Sequence, residues 1–449
     1  METLLSNKTE LRSQSDVPSA TSGVEIPLST DLDHKGTVLL LACFFPPENT
    51  SGAARPFRFY KYLRSLGYGV QVVTASKQDL NGVPADVICV SDTVAQSYPG
   101  ILPIAARILL RHVVDEKSLM WAIRAYAAAE ELFAREKICA ILSTSSPEIS
   151  HVAASLLKAR YGIRWIADFR DPLVGNPFRK QRGTVSRVLD SVLQSWVFRH
   201  AVALIANTDA TLELWHKQHP EYSKKMHLIW NGFDPEETLE TVPLPNRNYK
   251  LLVHSGTIYG PRHPGVFLSS LQRLIRQGLL SPDKFVLQLV GAMEKGWSRD
   301  PEQTEELVRL GCLKYDERRV STGEARHAIV GADALVLLDT HTEGGAVQLP
   351  AKIFDYVRLG RPILAITTHS SPVDRLLARS GVPHAALYPE DSTYEIDRKV
   401  MLFMRLPSEP VVASEWFWKE FSAIRQVGEL ASIVFPSQQI PQPNSEANV

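Results

Sequence analysis

Lys352 and Asp355 stand three residues apart in Gln348-Leu-Pro350-Ala-Lys352-Ile-Phe-Asp355-Tyr-Val-Arg-Leu-Gly360-Arg-Pro362, and Arg262 and His263 close the stretch Ser255-Gly256-Thr257-Ile-Tyr-Gly-Pro-Arg262-His263. Both stretches have the chemistry of anion binding. Pro350 fits the first turn of a helix, where its missing N–H costs nothing. Gly360 fits the position just past the helix end, and Pro362 blocks continuation. A helix N-terminus disfavours a cation, so Lys352 in the first turn is locally misplaced unless a phosphate sits there too. Residues 255–263 follow a strand and precede a helix, from where backbone N–H groups can approach phosphate. The fork of Arg262 could take two phosphate oxygens at once. The loop Thr342-Glu343-Gly344-Gly345-Ala346 can add N–H donors for a phosphate or a sugar hydroxyl.

A second set of candidates lies earlier. Arg170 and Asp171 end the apolar run Trp165-Ile-Ala-Asp168-Phe and are followed by Pro172. Buried charges rarely persist unpaired, so Arg170 is read either in a structural pair with Asp168 or Asp171 or as part of a ligand-binding wall. His151 falls on the first turns of a helix opened by Ser145, Ser146 and Pro147. Gly52 permits a backbone conformation closed to other residues, which lets its loop approach a ligand. Arg55, just after it, could face a ligand or solvent.

The elements that must hold these residues alternate. Residues 37–43 and 69–74 read as strands flanking a helix with Phe57, Tyr60, Leu63 and Leu66 at helical spacing, closed by Gly67. Such a βαβ start suits a nucleotide-binding type of sheet. A long helix is expected over 119–136, strands at 140–143, 165–168 and 203–206, and a helix over 185–199 with Val188, Leu189, Val192, Leu193 and Val197 on one face. The Pro-rich residues 235–248 read as a linker. A second alternation follows, with strands at 250–254, 285–290, 334–338 and 362–366, a helix from 265 to 277, and a last helix near 414–433. Strand 334–338 is continuously apolar, as in a sheet covered on both faces. Ligands of such sheets sit beyond the carboxyl ends of the strands.

The bulk properties narrow the class. The chain has 449 residues, 44% hydrophobic and 22% charged, with zero formal net charge. This length suggests more than one domain, and neutrality argues against a general attraction to nucleic acid. Cys43, Cys89, Cys139 and Cys312 are scattered and form no metal-ligand pair, which points to a reduced cytosolic setting. No apolar run reaches the roughly 20 residues of a spanning helix. Residues 1–35 lack the apolar core of a signal peptide, and they and residues 436–449 are expected to be disordered tails.

Five segments in order make the chain resemble glycosyltransferase family 4. They are Pro46-Pro-x4-Gly52-x-x-Arg55, Ser145-x-Pro147-x3-His151, Ala167-Asp-Phe-Arg170-Asp171-Pro, Ile229-Trp-Asn231-Gly-Phe-Asp234, and Leu349-Pro-Ala-Lys352-Ile-Phe-Asp355-Tyr-x3-Gly360-x-Pro362. The resemblance implies an α/β GT-B fold, with two Rossmann-like domains facing each other across a cleft. The expected parts are an acceptor-side domain over 36–234, a linker over 235–248, a nucleotide-sugar domain over 249–412 and a C-terminal helix over 413–435 that crosses back to the first domain. It implies a transferase that moves a sugar from a nucleotide diphosphate sugar to an acceptor hydroxyl of a glycan, lipid or small molecule, retaining the anomeric configuration, with no cofactor and no metal.

Roles follow by resemblance. Asp355 stands where the family has the second glutamate of Glu-x7-Glu, which accepts hydrogen bonds from ribose; the other reading is a surface pair with Lys352 or Arg358 on one helix face. Eight residues earlier stands Val347, not glutamate. Glu343 is expected either to replace that carboxylate or to be a solvated loop residue. Gly52, Gly256, Thr257, Arg262, Lys352, Gly344 and Gly345 are expected on the donor, and Arg55 on the acceptor side. His151, Arg170, Asp171 and Glu343 are the catalytic candidates; His151 is read either at the reaction centre or as a helix histidine without a catalytic task. A cytoplasmic place is expected. Residues 178–182 with the helix after them could touch anionic lipid on the inner face of a membrane, or be a solvated basic turn and a core-facing helix. The rival functions are a GT-B-like nucleotide-binding or scaffold protein without catalysis, and a nucleotide-sugar epimerase.

Overall fold

Strands that are mostly apolar at the centre and mixed at the edges build two all-parallel sheets. The computed structural model describes residues 35–46, 52–75, 84–91, 116–176, 183–239, 244–260, 262–340 and 347–436. The first sheet contains β1 (Thr37–Leu41), β2 (Gly69–Ala75), β3 (Val87–Val90), β4 (Ile138–Thr144), β5 (Arg164–Phe169), β6 (Ala203–Ala206) and β7 (Met226–Leu228), in the order β3-β2-β1-β4-β5-β6-β7. Its described helices are α1 (Ala54–Ser65), α2 (Glu116–Arg135), α3 (Ile149–Tyr161), α4 (Thr184–His200) and α5 (Asp209–Gln218). The second sheet contains β8 (Lys250–Ser255), β9 (Phe285–Val290), β10 (Leu313–Asp316), β11 (Ala334–Leu338), β12 (Ile363–Ile366) and β13 (His384–Leu387), in the order β10-β9-β8-β11-β12-β13. Around it lie α6 (Gly265–Arg276), α7 (Pro301–Arg309), α8 (Thr322–Val330), α9 (Lys352–Leu359), α10 (Pro372–Ser380) and α11 (Thr393–Met404). The chain ends in α12 (Glu415–Glu420) and α13 (Ala423–Val434).

β11 is buried along its whole length, and so are all but the first residue of β1. Helices cover both faces, which is why these strands read as unbroken apolar runs rather than alternating ones. Each sheet has one place where the strand order reverses, β1 beside β4 and β8 beside β11. Loops diverge there and leave a crevice at the carboxyl ends. The candidate residues follow such ends: Gly52 after β1, His151 after β4, Arg170 and Asp171 after β5, Gly256 and Arg262 after β8, and Lys352 after β11.

The last helix is not the single element expected. It breaks at Phe421 and Ser422, where residues of the interdomain connection cross. Phe233 donates its N–H to Phe421 O, and Ala423 donates its N–H to Phe233 O, both at 3.0 Å. A Cβ on Gly232 would lie 2.2 Å from Phe421 O, so only glycine allows this approach. After the break, α13 does cross back onto the first sheet. Phe435 stacks on Tyr68 with ring centroids 4.1 Å apart, and Arg164 Nη2 donates to Ile433 O at 3.2 Å.

The orientation of α4 also differs from the expected core-facing valines. Val188 and Val192 are 56% and 60% exposed. The buried residues are Ser186, Asp190, Gln194, Val197 and Phe198. Gln194 fixes this face, because its Oε1 accepts from Val174 N at 3.0 Å and its Nε2 reaches Gln218 at 3.3 Å. Residues 1–34, 178–182, 343–345 and 437–449 of the sequence reading lie outside the described residues. No helix among the described residues is long and apolar enough to cross a membrane.

Candidate functional site

The donor half is built by the turn after β8 and the start of α9. Tyr356 Oη, fully buried, accepts from Ser255 N at 3.1 Å and ties α9 to that turn. Gly256 has φ +131, and a Cβ there would lie 2.2 Å from Lys352 Nζ. The glycine therefore leaves room for the lysine ammonium directly against the turn. Burial, with Arg262 nearby, pushes Lys352 down to about 7. No acidic residue forms an ion pair with Lys352 among the described residues.

Arg262 is held from three sides. Its Nε donates to Thr340 Oγ1 at 3.2 Å, its Nη1 to Tyr259 Oη at 3.0 Å and its Nη2 to Gln348 Oε1 at 3.0 Å. The helix start, the turn and two cations thus converge on one place that suits a diphosphate. Thr257 is exposed beside them, and His263 Nδ1 is turned to Gly265 N at 3.2 Å. Behind the site, His254 is fully buried, with Nδ1 on Val336 O at 2.9 Å and Nε2 without a hydrogen-bond partner. Asp339, at the end of β11, is also fully buried; it accepts from Thr367 Oγ1 and Thr340 N at 2.7 Å, and burial pushes its carboxyl up to about 6.

Asp355 sits one turn into α9. Arg358 Nη1 lies 3.5 Å from its Oδ1, so the surface-pair reading has a counterpart, but a loose one. Burial raises its pKa, against the pull of Arg326, Arg358 and Arg58.

On the opposite wall, burial pushes the Asp171 carboxyl up to about 6, opposed chiefly by Arg170. Arg170 backs the first loop, since a Cβ on Gly52 would lie 3.0 Å from Arg170 Nη1. The pairing of Asp168 is a correction. Its partner is Arg55, with Nη2 at 2.7 Å from Oδ1, and Thr144 Oγ1 donates to its other oxygen at 2.7 Å. Arg55 also donates to Ile229 O at 2.9 Å and Asn231 Oδ1 at 3.2 Å, and is 3% exposed. It is therefore not presented to an acceptor; a buried guanidinium needs this full set of acceptors. His151 is likewise withdrawn. It is fully buried beside Phe169 and Trp165, with Nδ1 at 2.8 Å from Ser143 Oγ. Burial lowers it to about 3, so the ring is neutral at physiological pH.

The two walls meet through residues that sequence reasoning missed. Gln348 Nε2 donates to Asp171 Oδ1 at 2.5 Å, while its Oε1 accepts from Arg262. Next to it, Val347 O accepts from Thr208 Oγ1 at 2.6 Å and Thr211 Oγ1 at 3.3 Å. Asp209 and Arg375 add an ion pair at 2.7 Å. Only the proximity of Gln348 to the loop before α9 hinted at any of this. Among the described residues no cluster of His, Cys, Asp and Glu could hold a metal ion.

Two parallel sheets whose carboxyl ends face one another, with a returning C-terminal helix, are the architecture of the GT-B fold. Residues 53–232 match the glycosyl transferase 4-like domain. No curated protein matches it by sequence. Among solved structures it is similar to sucrose-phosphate synthase from Thermosynechococcus elongatus, at 12% identity, a TM-score of 0.57 and coverage of 90% of this chain and 97% of that one. It is similar to HepE from Anabaena in complex with UDP and glucose, at 13% identity, a TM-score of 0.58 and coverage of 89% and 99%. It is also similar to the lipopolysaccharide outer core galactosyltransferase WaaB, at 11% identity, a TM-score of 0.57 and coverage of 90% and 100%.

Proposed function

We propose that the protein transfers a sugar from a nucleotide diphosphate sugar to an acceptor hydroxyl with retention of configuration. The observation that supports this best is the seating of Lys352 against Gly256 beside Arg262. These cations and the N-terminus of α9 would bind the diphosphate and stabilise the charge it gains as leaving group. Asp355 would accept hydrogen bonds from ribose hydroxyls, and Asp171 would receive the acceptor's proton. The acceptor oxygen bonds to the anomeric carbon, the bond from that carbon to the diphosphate breaks, and the diphosphate keeps the electron pair. The binding of UDP and glucose by HepE, a neighbour in fold, supports a uridine donor as the first candidate.

One observation favours a second reading, nucleotide binding without transfer. Position 347, where the family supplies a carboxylate, is a buried valine whose carbonyl is tied to Thr208 and Thr211. Thermal stabilisation by UDP-glucose, UDP-galactose, UDP-N-acetylglucosamine and GDP-mannose, followed by assay of nucleoside diphosphate release from each, separates the two. Stabilisation together with release supports the transferase; stabilisation without release, with or without cell-derived acceptors, leaves only the binding protein. Epimerised sugar formed without an acceptor would instead indicate an epimerase.

A further inference from the structure

Gln348 lies between a carboxylate and a guanidinium. Its neighbour on one side, Asp171, can only accept when ionised, and its neighbour on the other, Arg262, can only donate. An amide alone among the side chains of this length meets both needs at once. A glutamate would repel Asp171, and a lysine would repel Arg262. The observed contacts use both ends of the amide, at 2.5 Å to Asp171 Oδ1 and 3.0 Å from Arg262 Nη2. The backbone beneath is fixed independently. Val347 and Leu349 are 8% and 4% exposed, and Val347 O is held by Thr208 and Thr211 of the opposite domain.

We infer that Gln348 is a positioning residue, which orients Asp171 toward the acceptor hydroxyl and links that orientation to Arg262 on the donor diphosphate. The inference rests on the transferase reading. Gln348 needs no contact with either substrate in this role. Its N–H fixes which oxygen of Asp171 is taken, leaving the other for the acceptor. It also favours the ionised carboxylate, the form that takes up a proton. Other charged groups act on Asp171 as well: Arg170 and Arg262 favour ionisation, and Glu148 at the start of α3 opposes it.

The test compares full-length wild type with Gln348→Leu and the near-isosteric Gln348→Glu. The readouts are UDP affinity by calorimetry and the pH profile of nucleoside diphosphate release from the four nucleotide sugars, with water as acceptor. Gln348→Leu should bind UDP within about threefold of wild type, because Arg262 keeps Thr340 and Tyr259; Gln348→Glu, whose carboxylate faces Arg262, should bind more weakly and is assayed at saturating donor. Release at pH 7 should fall by about tenfold to a hundredfold, as for a misplaced catalytic group. The acid limb, near pH 6 in wild type, should move upward, further in Gln348→Glu than in Gln348→Leu, and should not respond to either change in an Asp171→Asn background. A structural role alone would lower release without moving the limb. Unchanged release and an unchanged limb in the two UDP-binding variants overturn the inference. No release from any donor by wild type, with water or with cell-derived acceptors, overturns the transferase reading, and this inference with it.

Discussion

Lys352 Nζ occupies the space in which a side chain at position 256 would begin, 2.2 Å from an ideal Cβ on Gly256. The glycine is required twice, by its φ of +131 and by this approach. In Gly256→Ala the flexible lysine can swing away, but it then leaves its seat, and the backbone strain of about 1–3 kcal/mol remains. The variant should fold with a lowered melting temperature and bind UDP at least about tenfold more weakly, the scale of losing one charge-assisted contact. Wild-type UDP affinity by calorimetry would show that the seat is irrelevant to the nucleotide.

Lys352 also makes a pH prediction. Its folded pKa lies near 7, lowered by burial and by Arg262. Below that pH the ammonium is charged and ready for a diphosphate; above it the amine is mostly neutral and must take up a proton to bind. UDP affinity should therefore fall as pH rises from 7 to 9. At pH 8, binding measured in buffers of different ionisation enthalpy should take up roughly one proton per UDP. Lys352→Met should abolish both the uptake and the slope. Zero uptake in the wild type would falsify the assignment.

Asp355 is expected to bind ribose although Arg358 lies 3.5 Å away. Asp355→Ala would leave ribose hydroxyls unpaired, at a cost of about 1–3 kcal/mol, or several-fold to a hundredfold in UDP affinity. The loss should shrink when 2′-deoxy-UDP is the ligand, because one of the hydroxyls is gone. Equal affinity of the folded variant and wild type for UDP would leave Asp355 as a partner of Arg358 and nothing more.

The parts of this fold legible in the sequence are those decided by neighbours along the chain. β11 is an unbroken apolar run and β9 is one interrupted only by Gln288, and the ends of α9 are marked by Pro350 and Gly360, whose φ is +66. The edge strands β3, β10 and β13 were not anticipated. They are four residues each; β10 carries Lys314 and Asp316 and β13 opens on His384, so these two lack the apolar signature of central strands, while β3 is apolar but only four residues long. The break at Phe421 depends on Phe233, far away in sequence. Lys352 stands out in the sequence because a cation at a helix start asks for an anion. The motifs put Arg55 and His151 near a cleft, but which way a side chain turns is decided by partners such as Asp168 and Ser143. Gln348 had no signature, since an amide acquires its meaning only from the two charges on either side.

The Arg55–Asp168 pair yields the last prediction. Arg55 is 3% exposed and Asp168 fully buried, and the pair also holds Ile229 O and Thr144 Oγ1. It thereby joins α1, β4, β5 and the segment leading to the interdomain connection. Removing one partner strands the other charge in the interior, at about 3–5 kcal/mol. Arg55→Met and Asp168→Asn should each lose stability on that scale in urea unfolding, while the double variant should lose much less than the sum of the two. The donor half has its own core, so UDP affinity of the folded fraction should stay near wild type. If Arg55→Met instead kept full stability and lost only transfer to an acceptor, Arg55 would belong to the acceptor site after all.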